Sequence, residues 1–363
     1  MDDAFFRFVV DMGGPGLDQG KGGKYLIVPP GYKGELPKHK KDGGEYFVAH
    51  STSYVNWIPL RGFLVHGKPD LATKMFKEAF KVYPLSKAGN PPKMEFISGS
   101  KIPVNTIHAN DFEFYQELDH VIQKEPVDFL DPELRGLAAS IGIRKSQKFA
   151  PDERMKKILM DAVAVGNATA RAISFRTRDP GAPLYENSNW QTFFIGGEYR
   201  WLNDGGAGGR NLDARTRFFY VAMLNNPAMA AKIPGRGSQY AGAFVDTDGN
   251  NLTGSKGYHL HVPANVPAKD FWSVVVYDPQ TRSELQTGQP FPGKNNKRDK
   301  LLVNADGSVD LYFGPRGSAP QVKEANWTET VPGKGWFAIF RLCGPLEPWF
   351  DKSWRPGEIE LLK

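Results

Sequence analysis

Residues 252–278 have the sequence LTGSKGYHLHVPANVPAKDFWSVVVYD and carry the clearest structural signal in the chain. The part at 258–262 alternates polar and apolar side chains, which predicts a half-buried β-strand. Pro263 cannot donate to a sheet ladder and therefore indicates a loop. The run at 271–277 is rich in β-branched and aromatic residues, which predicts a buried strand. Two strands joined by a proline-containing crossover indicate a β-rich region.

The same alternation separates the two histidines of this stretch from its apolar residues. His259 and His261 share one strand face, and Leu260 lies on the other. A His-x-His pair on one face is typical of a two-histidine metal clamp. The glutamate that a cupin-type site would place a few residues later is absent from the sequence. The pair is therefore either a metal clamp or one exposed and one packed histidine.

The β pattern continues from about residue 236 to the C-terminus, with hairpin signals at Asp248-Gly249 and Asp306-Gly307. We therefore predict one antiparallel β-sandwich over 236–363. Its predicted core consists of Leu260, Trp272, Val274, Val276, Phe313, Trp336 and Ile339.

The rest of the chain divides into a β-rich and a helical part. Residues 1–104 alternate between strands and glycine- or proline-rich turns, with a helix near 69–83. Residues 105–235 are helical in pattern, and Asp131 followed by Pro132 is a typical helix start. The predicted order is a β region, a helical middle and a second β region.

Composition and charge exclude several classes of protein. The formal net charge is +6 over 363 residues, but the two short basic runs lack the interleaved aromatic residues of a nucleic-acid groove. No apolar stretch is long enough to span a membrane. The N-terminal segment mixes acids and an arginine into its apolar run, so it is not a signal peptide. We expect neither nucleic-acid nor membrane partners, and the compartment stays open because Cys343 is the single cysteine.

Several segments resemble a family that pairs the domains of unknown function numbered twelve fifty-four and twelve fourteen. The resemblance to the second half of the first domain rests on GKGGKYLIVPPGYKGELP (20–37) and HSTSYVNWIPLRGFLVHG (50–67). The resemblance to the helical linker that follows it rests on NTIHANDFEFYQEL (105–118). The resemblance to the second domain rests on three segments, YHLHVPANVPAKDFWSVVVYD (258–278), NADGSVDLYFGP (304–315) and EANWTETVPGKGWFAIFRLCGPLEPWFDKSWRPGEIE (324–360).

The resemblance implies an α+β, β-rich fold with two antiparallel, jelly-roll-like β-sandwiches bridged by an orthogonal helical bundle. It also implies that the first sandwich lacks its opening strands and that relatives are often exported. An incomplete sandwich exposes an edge strand. We therefore predict a homo-oligomer, or a helix of the same chain, that covers the apolar set Phe6, Phe8, Val10, Tyr25 and Ile27.

A group of titratable residues lies where the predicted linker helix begins. His108, Asp111, Glu113 and Glu117 occur within ten residues, and the two glutamates are four apart on one helix face. Such a group can hold Ca²⁺ or Zn²⁺, or perform acid–base chemistry. The alternative is helix capping plus a solvated face.

We therefore predict a metal-assisted or acid–base hydrolase or lyase for a small organic or carbohydrate-like substrate. His108, Asp111 and Glu113 would supply its catalytic groups. The second sandwich would bind the substrate at the junction through Arg282, with Tyr240 or Trp327 as aromatic walls. The alternative is a non-catalytic ligand-binding or assembly protein.

Overall fold

The computed structural model describes residues 1–102, 107–318 and 324–362. Within these ranges the chain forms twelve β-strands and seven α-helices, so the α+β fold class is confirmed. The chain divides into two compact units, Met1–Lys156 and Lys157–Lys363. The predicted division into 1–104, 105–235 and 236–363 stays a prediction.

The first unit contains two small sheets. Its strands are β1 (Asp2–Asp3), β2 (Lys24–Val28), β3 (Tyr46–His50) and β4 (Asn56–Trp57). Strands β1 and β4 pair antiparallel, but β2 and β3 pair in parallel. The expectation of purely antiparallel pairing in this unit is therefore wrong. The connection between β2 and β3 is long enough for the chain to cross back before it pairs, as parallel strands require.

The apolar run at 5–10, which the strand-and-turn pattern of residues 1–104 predicts as a strand, begins with a turn. The buried Asp3 carboxylate accepts hydrogen bonds from the backbone N–H groups of Phe5 (2.8 Å) and Arg7 (2.9 Å). These bonds reverse the chain, and Phe6 takes a left-handed backbone with φ 53°. The Phe6 and Trp57 rings then pack in a T-shaped arrangement, with centroids 5.8 Å apart. A side-chain acceptor therefore forms the turn, and the chain beyond it pairs back on the first residues through an antiparallel bridge between Asp2 and Phe8.

The apolar set of the first unit is covered in part within the same chain. Val10 is buried, and Phe6, Phe8, Tyr25 and Ile27 are partly buried. The homo-oligomer stays a prediction.

The helices of the first unit begin in different ways, and one of them has the predicted side-chain cap. They are α1 (Asp70–Glu78), α2 (Glu113–Lys124), α3 (Pro132–Ser140) and the start of α4 (Glu153–Phe175). At α3 the Asp131 carboxylate accepts from the Leu134 N–H at 2.9 Å, which confirms the predicted helix start. Helix α1 is shorter than the expected 69–83.

The second unit contains most of the sheet structure. Its remaining helices are α5 (Leu212–Val221), α6 (Pro227–Ala230) and α7 (Glu347–Phe350). Its strands are β5 (Ser238–Ala243), β6 (Tyr258–Val262), β7 (Ala268–Tyr277), β8 (Gly293–Asn295), β9 (Val309–Gly314), β10 (Trp327–Glu329), β11 (Phe337–Pro345) and β12 (Ile359–Leu361).

These strands form two four-stranded sheets, with the orders β10-β9-β6-β12 and β5-β11-β7-β8. All neighbours pair antiparallel except β9 and β10, which are parallel over three residues. The predicted antiparallel pairing over 236–363 is therefore wrong for this short pair. The chain leaves β9 at Gly314 and re-enters the sheet at Trp327, a connection long enough for a parallel return.

Both sheets contribute side chains to one apolar cluster. Leu260 and Phe313 come from the first sheet, and Val274 and Phe340 come from the second. Six of the seven predicted core residues belong to this cluster. Ile339 does not, because the alternation of β11 directs Phe340 into the cluster and Ile339 to the opposite face, where it packs against a second cluster.

Candidate functional site

The candidate site lies on the polar face of strands β6, β9 and β12. Strand register places His261 opposite Asp310 on β9, and His259 opposite both Tyr312 on β9 and Glu360 on β12. Neighbouring positions of an antiparallel pair bring their side chains together on one face. The site is therefore assembled by the pairing of three strands.

Asp310 is the centre of the site. His259 Nε2 and His261 Nδ1 each lie 2.9 Å from the same carboxylate oxygen, Asp310 Oδ1. The second oxygen, Oδ2, accepts from Asn304 Nδ2 at 2.8 Å. An ionised carboxylate only accepts hydrogen bonds, so both imidazole nitrogens that face it carry a proton. This arrangement fixes the tautomer of each histidine when it is neutral.

The environment keeps Asp310 ionised. Burial opposes ionisation of the carboxyl, but hydrogen bonds from His261, Asn304 and His259 outweigh it, and the pKa of Asp310 lies well below its usual range. The Asp310 side chain is 19% exposed, so water screens these bonds only in part. The site therefore holds a fixed negative charge between two imidazoles at neutral pH.

Neighbouring groups hold the site in place. The turn at 304–308 directs Asn304 toward the site, and Ser308 Oγ donates to Asp306 Oδ1 at 2.6 Å within the same turn. The Tyr312 ring packs on His259 with centroids 5.3 Å apart. Hydrogen bonds and ring packing of this kind reduce the freedom of a side chain and pre-organise it for chemistry.

The geometry suits proton transfer at His261. Its Nδ1–H donates to Asp310, which leaves Nε2 as the nitrogen that can take or give a proton, and the side chain is 45% exposed. A carboxylate that holds one nitrogen of a histidine orients the ring and stabilises its protonated form. His259 is less exposed, at 22%, and its Nδ1 lies 4.0 Å from Glu360 Oε2.

The site residues that the sequence predicted in the first unit lie at the start of helix α2. Asp111 Oδ1 accepts from the Glu113 N–H at 2.9 Å just before the helix, whose N-cap residue Phe112 forms no side-chain cap bond. His108 Nδ1 lies 2.8 Å from the Ala109 carbonyl oxygen, and the side chains of His108, Asp111 and Glu113 are exposed. Capping is the alternative that the sequence left open, and the catalytic role of these residues stays a prediction.

The predicted site residues of the second unit have separate surroundings. Arg282 is buried, donates from Nε to the Tyr220 carbonyl at 3.0 Å, and stacks on the Tyr220 ring at 4.1 Å. Burial lowers the pKa of Arg282. The Arg341 guanidinium lies over the ring of Tyr240 on β5, with its carbon 5.6 Å from the ring centroid. Trp327 is buried on β10. Their role in substrate binding stays a prediction.

A metal centre is not evident in the ranges that the structure describes. They contain no group of three or more His, Cys, Asp or Glu side chains that could hold a metal ion. His259 Nε2 and His261 Nδ1 both point at Asp310. The predicted Ca²⁺ or Zn²⁺ therefore stays a prediction. No helix within the described ranges has the length and apolar character needed to cross a membrane.

Sequence reasoning missed Asp310, Asn304 and Glu360. Asp310 is the polar position in an apolar alternation at 309–313, which is the same signal that singled out the histidines. Local sequence gives the face of a strand but not its partner, so the pairing of Asp310 with the histidines was not predictable from either segment alone.

Comparison with solved structures gives two distant likenesses. A Vibrio parahaemolyticus protein of known crystal structure is 15% identical, with a TM-score of 0.45, over 94% of this chain and 76% of that one. An uncharacterised protein from Burkholderia cenocepacia is 16% identical, with a TM-score of 0.26, over 59% of this chain and 44% of that one. No curated protein matches the sequence.

Two family models match the chain. Residues 1–84 match the model of the family described as protein of unknown function DUF1254. Residues 237–347 match the model of the family described as protein of unknown function DUF1214. The second match contains His259, His261 and Asp310. The order and identity of the two domains are those that the sequence motifs predicted. The two matches therefore agree with the predicted pairing of a DUF1254 domain and a DUF1214 domain.

Proposed function

We propose that the protein is an acid–base hydrolase or lyase that acts on a small organic or carbohydrate-like substrate at the polar face of β6 and β9. The observation that carries the proposal is the pair of imidazoles bound to one oxygen of Asp310, one of them with an accessible second nitrogen. An oriented and solvent-accessible histidine is the usual general acid or base of an enzyme.

His261 is the proton-transfer residue of this proposal. Its Nε2 accepts a proton from the substrate or from an attacking water, and it returns that proton to the leaving group. Asp310 is a positioning residue, since it holds Nδ1–H and stabilises the imidazolium that forms during transfer. Asn304 supports Asp310 in turn through its bond to Oδ2.

The test is a hydrolysis screen on the full chain with chromogenic esters and glycosides. General acid–base catalysis contributes about 100- to 10,000-fold to a rate. We expect His261→Asn to lower turnover by at least about 100-fold, and Asp310→Asn to lower it and change its pH profile. His120→Asn, an exposed histidine of α2, is the matched control and should retain full activity. Equal turnover by wild type and His261→Asn, or no turnover of any substrate, would argue against the proposal.

We also propose that the two four-stranded sheets face each other as a β-sandwich. The shared apolar cluster supports this arrangement, because its members come from both sheets. Facing sheets lie about 10 Å apart. A crystal structure of the full chain in which the two sheets do not face each other would refute it.

The alternative function, a non-catalytic ligand-binding or assembly protein, has two supporting observations in the first unit. One is the cavity that is described below. The other is the exposure of Phe63 (86%), Leu64 (62%) and Ile97 (90%), which favours a homo-oligomer. Phe63→Asp should then shift the mass measured by light scattering toward the monomer, and a monomeric wild-type protein would exclude this assembly.

A further inference from the structure

A cavity of about 170 Å³ lies in the first unit. Its walls come from the end of α2, the segment at 126–130, helix α3 and the segment at 143–145. Eight of its lining residues are apolar, and the other three are the cations Arg135, Arg144 and Lys145. No acidic residue lines the cavity in the described chain. An apolar chamber with only positive groups at its wall is complementary to an organic anion.

Arg135 supplies the strongest sign that a ligand belongs here. Its Nε is buried and has no hydrogen-bond partner among the described residues. Buried donors are nearly always paired in native proteins, so an unpaired one indicates a missing acceptor. A guanidinium binds a carboxylate through two parallel hydrogen bonds, and Nε is one of the donors in that geometry.

The ammonium group of Lys145 is bound by carbonyl oxygens and not by the Glu125 carboxylate. Its Nζ donates to the backbone carbonyl oxygens of Gln123 and Glu125, the latter at 2.6 Å. The Glu125 carboxylate accepts from the backbone N–H groups of Tyr54 and Val55 instead. The cavity wall therefore keeps a net positive charge, which favours an anion over a neutral ligand.

The apolar walls limit the size of the apolar body that this partly open cavity can bury. Phe129, Leu130 and Ile143 are buried and line the cavity together with alanines of α3. A dry apolar cavity of about 150 Å³ accommodates benzene. The chamber therefore suits an apolar body of about six carbon atoms.

We propose that this cavity binds a small monocarboxylate with an apolar body of that size. The carboxylate accepts from Arg135 Nε, and the apolar body packs against Phe129 and Leu130. This inference stands apart from the acid–base proposal, because no residue of the His259–Asp310–His261 cluster lines the cavity. It identifies the ligand class of the alternative, ligand-binding function.

The test is calorimetric titration of the full chain with benzoate, with benzyl alcohol and benzylamine as ligands of similar shape but different charge. We expect saturable binding of benzoate and at least tenfold weaker binding of the other two. Arg135→Met should weaken benzoate binding at least tenfold, since a hydrogen bond to a charged group corresponds to about tenfold or more in affinity. Arg61→Met, an exposed arginine of the same unit, is the matched control and should bind like wild type.

A second variant separates loss of the site from loss of the fold. Ala139→Phe places a ring inside the cavity and keeps all three cations, so it should abolish binding while circular dichroism stays that of wild type. Arg135→Lys restores a charge without the two-pronged geometry and should bind with intermediate affinity. The proposal is overturned if wild type does not bind benzoate, if benzylamine binds equally well, or if Ala139→Phe binds like wild type.

Discussion

Replacement of Asp310 by asparagine should destabilise the second unit by about 2 kcal/mol at neutral pH. The carboxylate accepts three side-chain hydrogen bonds, from His259, His261 and Asn304. A hydrogen bond to a charged group is worth about 1.5–3 kcal/mol when buried. The side chains of His259 and His261 are 22% and 45% exposed, so in the variant water replaces part of the hydrogen bonding that these histidines lose. The total is therefore close to that of one buried charged bond.

The loss should depend on pH in a direction that the Asp310 pKa fixes. This pKa is lower in the folded chain than its ordinary value of 3.8. The bonds to the ionised form therefore contribute stability that is fully present above about pH 4, and this contribution is lost as the pH falls further. The difference between wild type and Asp310→Asn should be largest between pH 5 and 7 and should shrink progressively below about pH 4.

Urea unfolding followed by tryptophan fluorescence measures this difference at each pH. Asp248→Asn changes an exposed acid in a hairpin turn of the same unit, and it should alter the unfolding free energy by less than about 0.5 kcal/mol. A difference between wild type and Asp310→Asn that stays constant from pH 7 to pH 2 would refute the reasoning, because it would show that ionised Asp310 contributes nothing specific.

Three further changes have defined outcomes. Arg135→Met should stabilise the unliganded protein by about 1 kcal/mol in urea unfolding, because it removes a buried donor that lacks a partner. Tyr25→Phe should cost about 1.5 kcal/mol, since the Tyr25 hydroxyl donates to the buried Asp18 carboxylate at 2.5 Å. Burial and that bond raise the pKa of Tyr25 to about 12, and burial raises the pKa of Tyr277 to about 12 as well, so the same variant should lose part of the ionisation near pH 12 in an ultraviolet titration and keep the rest. Arg217→Met should cost about 3 kcal/mol by thermal unfolding, because the buried guanidinium donates to the Ser174 and Thr192 carbonyls, which would lose their donors.

Local signals in the sequence predicted the elements whose partners are also local. Asp131 and Pro132 predicted the start of α3, because a cap is a contact between residues three apart. The alternation at 258–262 predicted which face carries His259 and His261, because strand geometry alone sets it. The family resemblance implied the α+β class, and the order of β and helical regions that the patterns predicted agrees with it.

The predictions that were wrong share a different cause. In each case a contact with a residue outside the local sequence pattern determines the structure. The N-terminal run has strand-forming residues, yet Asp3 binds its backbone N–H groups and turns it. Ile339 is as apolar as Phe340, and the inward face of β11 is set by its pairing with β7. Asp310 meets the histidines only through a register between strands about fifty residues apart, which neither segment encodes alone.

The two candidate sites differ in how completely their polar groups are satisfied, and this difference separates a site that can stand alone from one that calls for a ligand. Both carboxylate oxygens of Asp310 accept hydrogen bonds from side chains of the protein, so the His259–Asp310–His261 cluster needs no ligand to satisfy this carboxylate. His261 remains accessible to solvent in this arrangement. Arg135 has a buried donor without a partner, which costs about 1–3 kcal/mol until an acceptor arrives. A ligand that supplies that acceptor recovers this cost on binding, in addition to burying its apolar body. Occupancy should therefore raise the thermal stability of the wild-type chain and leave that of Arg135→Met almost unchanged, because the variant has no unpaired donor to satisfy.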